Sequence, residues 1–340
     1  MYKISLITGD GIGPELSESA LQILNAVHDR LDVKFQIESI MAGDAALAKY
    51  GNALPKSTID VIRKSDACMK APVGESAADV IVALRRMLNL YANIRPAKSY
   101  PYMHALKDDI DLVIVRENTE DLYTGQEFEL SGAAVAFRII SENASKKIAK
   151  YAFETAIQRN GKKTVTCVHK SNVMRKTDGL FSRVCSQIAK DYPQIKFEQM
   201  YVDACAMNLI RKPESFDVIV TTNLFGDILS DEAAEVVGGL GMAPAANIGD
   251  DFALFEPVHG AAFDIAGKGI ANPSSFILSA KMMLDWLGKK HNDKKCMYAA
   301  DKLESAVYGV VKKGVKTQDI GGNKSTMEFT KEILSLLTYI

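Results

Sequence analysis

Two aspartates four residues apart, Asp227 and Asp231, stand in the segment Thr222-Asn223-Leu224-Phe225-Gly226-Asp227-Ile228-Leu229-Ser230-Asp231-Glu232. The apolar run at 217–220 reads as a buried strand and 226–237 as the helix after it, which puts both carboxylates on one helical face. Such a pair can grip a hard divalent cation, because Mg²⁺ and Mn²⁺ prefer carboxylate and water oxygens and take only one or two protein carboxylates. First-turn acids complementing the helix dipole account for the same residues equally well.

Arg85 and Arg95 bracket a helical stretch that runs into an extended one, since Pro96 forces extended backbone on the residue before it. Arg116 ends the apolar run 112–115, and the carboxyl ends of strands are where open α/β sheets bind ligands. Three arginines so placed could clamp carboxylates with forked hydrogen bonds, although each alone also reads as a solvated surface charge. Tyr123 follows seven residues after Arg116, and Lys170 ends the run 164–170. Tyrosine and lysine serve as acid and base where neighbouring charges lower their pKa; a lone one usually does neither. In 255–273, His259, Gly260, Ala261, Ala262, Phe263, Asp264 and Asn272 lie among small residues and turn signals. Such a loop lets a flat ligand approach the backbone, with Asp264 able to accept hydrogen bonds from ribose hydroxyls, and it is equally compatible with a bare surface loop. His28, His104, His169, His259 and His291 show no metal-ligand spacing.

Positioning these groups takes a sizeable scaffold. A chain of 340 residues suits about two domains. With 47% apolar and 24% charged residues and a net charge of −1, it carries no electrostatic footprint for nucleic acid or an anionic membrane. Five scattered cysteines without a CxxC pair argue against a disulfide framework and a zinc site. Met1 leads directly into a strand-like 2–7, and no apolar stretch has bilayer-spanning length, so a soluble cytoplasmic protein is expected. Short apolar runs alternate with helical patterns, which predicts an α/β architecture with a largely parallel sheet. The stretch 128–139 breaks the alternation as two strands about a Ser-Gly turn, and an isolated hairpin needs another element or another subunit to pack on. Gly9-Asp10-Gly11-Ile12-Gly13-Pro14 follows a strand and opens a helix, but its last glycine comes one residue too early for a dinucleotide-binding turn. It reads as a tight turn with no phosphate in it.

Taken together, 9–15, 85–96, 116–123, 170–172, 201–203, 223–232, 256–273 and 321–323 resemble, nearly end to end, the β-decarboxylating dehydrogenases that include 3-isopropylmalate, isocitrate and homoisocitrate dehydrogenases. The resemblance implies two α/β domains: a discontinuous cofactor-binding large domain (1–95 and 240–340), and a small domain (96–239) with the dimer interface and a dimer-forming hairpin arm near 124–141. It implies a homodimer with shared active sites acting on a small 2-hydroxy dicarboxylate. Arg85, Arg95 and Arg116 would bind the malate carboxylates, while Asp227, Asp231 and Asp203 of the partner subunit would hold Mg²⁺ or Mn²⁺. Tyr123 and the partner's Lys170 would be the proton-transfer pair, with Asp203 beside the lysine.

The cofactor would lie outside any Rossmann turn, along His259 to Asp264 and Asn272, with Asn172 near the nicotinamide. Relatives using NADP carry Lys-Tyr where this chain has Asp264-Ile265, so NAD is implied. The helix over 74–84 reads the substrate side group in this family, and Ile81 and Val82 offer an apolar floor suited to an isopropyl group. The wording at 74–79 resembles archaeal-type members acting on 3-isopropylmalate. Ala78, where bacterial members carry glutamate, departs from that pattern, and 118–120 and 168–170 resemble isocitrate and homoisocitrate enzymes, the alternative substrates.

Overall fold

The computed structural model describes residues 1–103 and 105–337; His104 and residues 338–340 of the expected large domain lie outside them. From the first part of the chain come β1 (Tyr2–Ile7), β2 (Phe35–Ile40), β3 (Ala67–Lys70), β4 (Ala92–Lys98) and β5 (Asp111–Glu117). The hairpin β6 (Glu127–Leu130) and β7 (Ala133–Ala136) follows, then β8 (Thr164–His169), β9 (Lys196–Tyr201), β10 (Val218–Thr221), β11 (Pro244–Ile248) and β12 (Ala253–Pro257). All but the hairpin join one sheet in the order β2-β1-β3-β12-β11-β4-β5-β10-β8-β9. Both wings are parallel, as expected, but the centre is not: β12–β11, β11–β4 and β4–β5 are antiparallel. β11 and β12 are joined by a tight turn, and β4 and β5 by a segment with no helix among its described residues, connections that suit antiparallel neighbours, and β11 then pairs with β4 across the middle.

Period-two alternation sends successive strand residues to opposite faces. Val113, Val115, Val218 and Val220 pack on one face with α1 (Gly13–Arg30), α5 (Glu142–Arg159), α6 (Thr177–Ala189), α9 (Ser274–His291), α10 (Lys294–Lys312) and α11 (Thr326–Leu336) in one continuous core. The other face carries two separate apolar clusters. One packs Ile7, Cys68 and Leu254 with the segments that flank α2 (Asp44–Tyr50) and under α3 (Lys56–Ile62) and α4 (Ala77–Met87). The second packs Leu112, Ile114 and Ile219 under α7 (Val202–Arg211) and α8 (Asn223–Val236). Between them the same alternation presents Asn93, Arg95, Arg116, Asn247 and Glu256, all buried and polar. The site is this polar gap between two cores.

Two boundaries differ from expectation. Helix α8 begins at Asn223 rather than 226 and has no acid in its first turn, which removes the dipole explanation for Asp227 and Asp231. Helix α4 begins at Ala77, so 74–76 is a loop leading into it. That loop is held by Asp44, whose carboxylate accepts the Ser76 N–H at 2.9 Å and the Glu75 N–H at 3.0 Å.

The hairpin turns at Ser131-Gly132, and Phe128, Leu130 and Phe137 on and beside it are exposed. In the N-terminal turn the amides are spent on protein: Asp10 N–H donates to Pro72 O and Ile12 N–H to Ala261 O, both at 2.8 Å. A Cβ on Gly11 would stand 2.0 Å from that Ala261 oxygen, so glycine is required for contact with the 259–264 loop, not with a phosphate. All five cysteines are buried and free. No helix among the described residues is long and apolar enough to cross a membrane.

Candidate active site

Two guanidiniums, of Arg95 and Arg116, meet the first turns of α8, and a third, of Arg85, is held by the neighbouring strands. Arg116, 1% exposed at the end of β5, donates from Nε and Nη2 to Asn223 Oδ1 at 2.9 and 2.7 Å and from Nη1 to Asp227. Arg95 on β4 bonds Ser230 Oγ at 2.7 Å and Asp231 at 3.0 Å, and its Nη2 lies 3.3 Å from Asp227. Arg85, in the last turn of α4, donates to Asn247 Oδ1 at 2.9 Å and Glu256 Oε1 at 3.4 Å. Gly226 lets α8 lie on the Arg116 stem, where a Cβ would stand 2.5 Å from Cγ. The Tyr123 hydroxyl donates to Asp227, and the Arg116 guanidinium sits 5.0 Å from the Tyr123 ring centre.

The charges are mutually adjusted. Burial, then Arg95 and Arg85, push the Arg116 pKa down to about 9, a sign that the cluster favours anions. Burial raises the Asp227 carboxyl, but Arg116, Arg95 and the Tyr123 hydroxyl outweigh it and hold it below its ordinary range. Asp231 goes the other way, raised by burial and by Asp227 despite Arg95. Two carboxylates split in this way on one helix face are hard oxygen donors that a divalent cation would satisfy together. Among the described residues no group of three or more His, Cys, Asp or Glu side chains that could hold a metal comes together, so Asp203 does not join this pair within one chain. Tyr123 is not lowered, as a basic role would need; burial and its bond to Asp227 raise it, which keeps the phenol protonated.

Lys170 and Asp203 form a second pair, at the start of the segment after β8 and in the first turn of α7. Their bond holds the Asp203 carboxyl below its usual range. Asn172 is exposed nearby in sequence. Ile81 and Val82 are half-buried on α4, one turn before Arg85, and Ile81 packs on the apolar cluster that includes Val80 and Leu84.

The 259–264 loop borders a cavity of about 350 Å³ lined by Ile12, Gly241, His259, Gly260, Ala262 and Asn272. Nothing lies within 4 Å of where a Gly260 Cβ would stand, and burial lowers the His259 pKa, which favours the neutral imidazole in the cavity wall. That suits a flat, polar ligand. Ala261 is buried against Gly11, and Asn272 is buried with its N–H on Asp319. Phe263 and Asp264 are exposed.

Sequence reasoning assigned no role to the layer beneath Arg85. Asn93 and Asn118 both donate to Asn247 Oδ1, at 3.0 and 2.9 Å, Asn247 donates to Glu256 at 2.8 Å, and Lys70 bonds Glu256 at 2.8 Å. The available signal was a single polar residue within apolar strand runs, as in Ala92-Asn93-Ile94 and Ala246-Asn247-Ile248.

Burial pushes the Glu256 carboxyl up, yet Lys70 and Arg85 prevail and bring it from 4.5 to about 2. A carboxyl depressed in the folded state contributes stability that is complete above the unfolded pKa, here about 4.5, and that is lost as pH falls through 2. Glu256→Gln should therefore cost about 3–5 kcal/mol at pH 7 by leaving buried cations unpaired. The gap to wild type should narrow between pH 5 and 2.5. Urea melts at pH 7, 5 and 3 check this, and a constant gap would contradict it.

The description "isocitrate/isopropylmalate dehydrogenase" belongs to a family model that matches residues 3–333, and the chain is a member of that family. It is 54% identical over 337 residues to the 3-isopropylmalate dehydrogenase of Archaeoglobus fulgidus, covering 99% of this chain and 100% of that protein. It is 46% identical to the homoisocitrate dehydrogenase of Methanocaldococcus jannaschii, covering 99% and 98%. Among solved structures, the isocitrate dehydrogenase of Methylococcus capsulatus matches with a TM-score of 0.91 at 43% identity over 99% of both chains.

Proposed function

We propose that this chain is an NAD-dependent, divalent-metal-dependent 3-isopropylmalate dehydrogenase, converting (2R,3S)-3-isopropylmalate to 4-methyl-2-oxopentanoate and CO₂ for leucine biosynthesis in the cytoplasm. The observation that carries it is the meeting of Arg95 and Arg116 on Asp227, with Arg85 held beside them on Asn247 and Glu256 and the apolar Ile81 and Val82 one turn before it on α4. The guanidiniums bind and orient the two carboxylates common to all the malate-type substrates. Ile81 and Val82 take the side group.

Asp227 and Asp231, with Asp203 of the partner subunit, would hold Mg²⁺ or Mn²⁺, which when bound polarises the substrate oxygen as a Lewis acid. Lys170 accepts the substrate hydroxyl proton, and the Tyr123 phenol, kept protonated by burial, returns a proton to carbon after CO₂ has left. NAD, which accepts the hydride, would lie along His259 to Asp264 and Asn272 with Asn172 near its nicotinamide. We assign residues 1–95 and 240–340 to a large domain and 96–239 to a small one with the 124–141 arm; the sheet order, in which both chain ends supply one wing, supports this division. The exposed apolar side chains of the hairpin support a homodimer in which Lys170 and Asp203 complete the partner's site.

Exposed Asp264 should bond the adenosine ribose and repel a 2′-phosphate. NAD should therefore outperform NADP, and replacing Asp264 with Lys together with Ile265 with Tyr should narrow or reverse the preference. Equal use of NADP by the wild type would remove this loop from the cofactor site. Val82→Arg should in turn fill the isopropyl pocket and give an extra carboxylate a partner, moving kcat/KM toward isocitrate and homoisocitrate by about 10- to 100-fold. An unchanged substrate ranking would take α4 out of side-group recognition.

A further inference from the structure

Arg138 stands two residues past β7, at the foot of the hairpin, with its side chain only 12% exposed. Its Nε and Nη2 donate to the two oxygens of Asp121 at 2.7 and 3.2 Å, and Nη2 also to Thr222 Oγ1 at 2.9 Å. Its Nη1 bonds Asp178, and its plane lies over the Phe225 ring, 4.9 Å from the centre. Asp121 and Asp178 are both 0% exposed.

Each of these carboxylates also holds a backbone amide of the candidate site. Asp121 accepts the N–H of Leu122 at 2.9 Å, the residue before Tyr123, and that of Leu224 at 3.1 Å, in the first turn of α8 below Asp227. Asp178 accepts the N–H of Lys170 itself at 2.6 Å. Asp121 adopts φ +70°, ψ −149°, a backbone region that side-chain-bearing residues rarely occupy and that persists only where surrounding bonds over-determine it. One guanidinium thus fixes the Tyr123 turn, the start of α8 and the Lys170 segment, three pieces far apart in sequence.

We propose that Arg138 is a positioning residue that locks Tyr123 and Lys170 of one chain into a single rigid unit and thereby links two active sites. The inference rests on the shared-site reading above: there, the Tyr123 and Lys170 of one chain serve two different sites, so Arg138 bridges them. Lysine at this position keeps the charge but lacks the planar fork needed to hold Asp121 and Asp178 together.

Arg138→Lys should lower kcat on the order of 10²-fold, the scale of an ångström's misplacement of a reacting group, while KM for the malate substrate changes by about threefold or less, because Arg85, Arg95 and Arg116 are untouched. Arg138→Met should lose more; should it fail to fold, as judged by melting and dimer size, the lysine variant carries the test. The decisive species is a tagged dimer of one wild-type and one Arg138→Lys chain. One site then holds the displaced Tyr123 and the other the displaced Lys170, so activity should fall close to that of the mutant homodimer. Half of wild-type activity, one site spared, would overturn the proposal, as would a kcat unchanged in the mutant homodimer. A mixed dimer of Tyr123→Phe and Lys170→Ala chains is measured alongside. Recovery of activity there, from the one site with neither lesion, supports shared sites; no recovery after verified subunit exchange overturns shared sites and this proposal with them. Recovery together with a half-active Arg138→Lys mixed dimer overturns the role of Arg138 alone.

Discussion

Asp227→Asn should abolish measurable turnover, with kcat down by about 10³-fold or more, while leaving a folded protein. The Asp227 carboxylate receives Arg116 Nη1, Arg95 Nη2 at 3.3 Å and the Tyr123 hydroxyl at once. Asparagine keeps the shape and one acceptor but removes the charge that the two arginines hold ionised and that a cation would need. Its amide would also turn donors toward Arg116 or Tyr123, in place of an acceptor. The loss should appear as weaker Mg²⁺ binding by calorimetry and as a kcat that saturating Mg²⁺ does not restore. Unchanged activity at limiting Mg²⁺ would remove Asp227 from the site. Asp231→Asn should be milder, since Asp231 pairs with Arg95 where Asp227 pairs with both Arg95 and Arg116, and it is more exposed.

Arg116→Met is the second large effect, and it should strike both binding and stability. Methionine fits the volume against Gly226, but Asn223 loses two donors and Asp227 its closest cation. Truncating one member of a hydrogen-bonded charge pair costs about 2–5 kcal/mol, and the partial exposure of Asp227 places the stability loss toward the lower end. The lost carboxylate clamp adds to the transition-state term, so kcat/KM should fall by about 10³-fold, mostly through KM. Arg116→Lys should recover little, because a point charge cannot fork between Asn223, Asp227 and a substrate carboxylate. Steady-state kinetics with thermal melts separate the two components. A variant that melts lower but keeps its KM would make Arg116 structural only.

The alternating strands and helices, the Ser-Gly hairpin and the tight strand-to-helix turn at 9–13 were legible because each is a local property: a period, a turn dipeptide, a glycine spacing. What escaped is non-local. Arg85 meets Asn247 across 162 residues and Arg116 meets Asp227 across 111, distances over which no periodicity carries information. The antiparallel pairing of β11 with β4, which sets Asn247 opposite Asn93, joins distant segments, and alternation within a strand does not reveal its partner. The start of α8 was misplaced by three residues although Thr222 and Asn223 are residue types that open helices; Thr222 makes no side-chain cap bond, and the Leu224 N–H is instead satisfied by Asp121, which is 103 residues away. Arg138 likewise has no local signal of its role, because its partners Asp121 and Asp178 lie 17 and 40 residues away.

The most direct test of the substrate assignment is a side-by-side set of initial rates on 3-isopropylmalate, isocitrate, homoisocitrate and malate with NAD and Mg²⁺. The methyl groups of an isopropyl side group gain about 1–3 kcal/mol in an apolar pocket, whereas a carboxylate buried against Ile81 and Val82 without a partner costs more. The kcat/KM for 3-isopropylmalate should therefore exceed that of every other substrate by about 10²-fold or more. A higher kcat/KM for isocitrate or homoisocitrate would contradict the assignment.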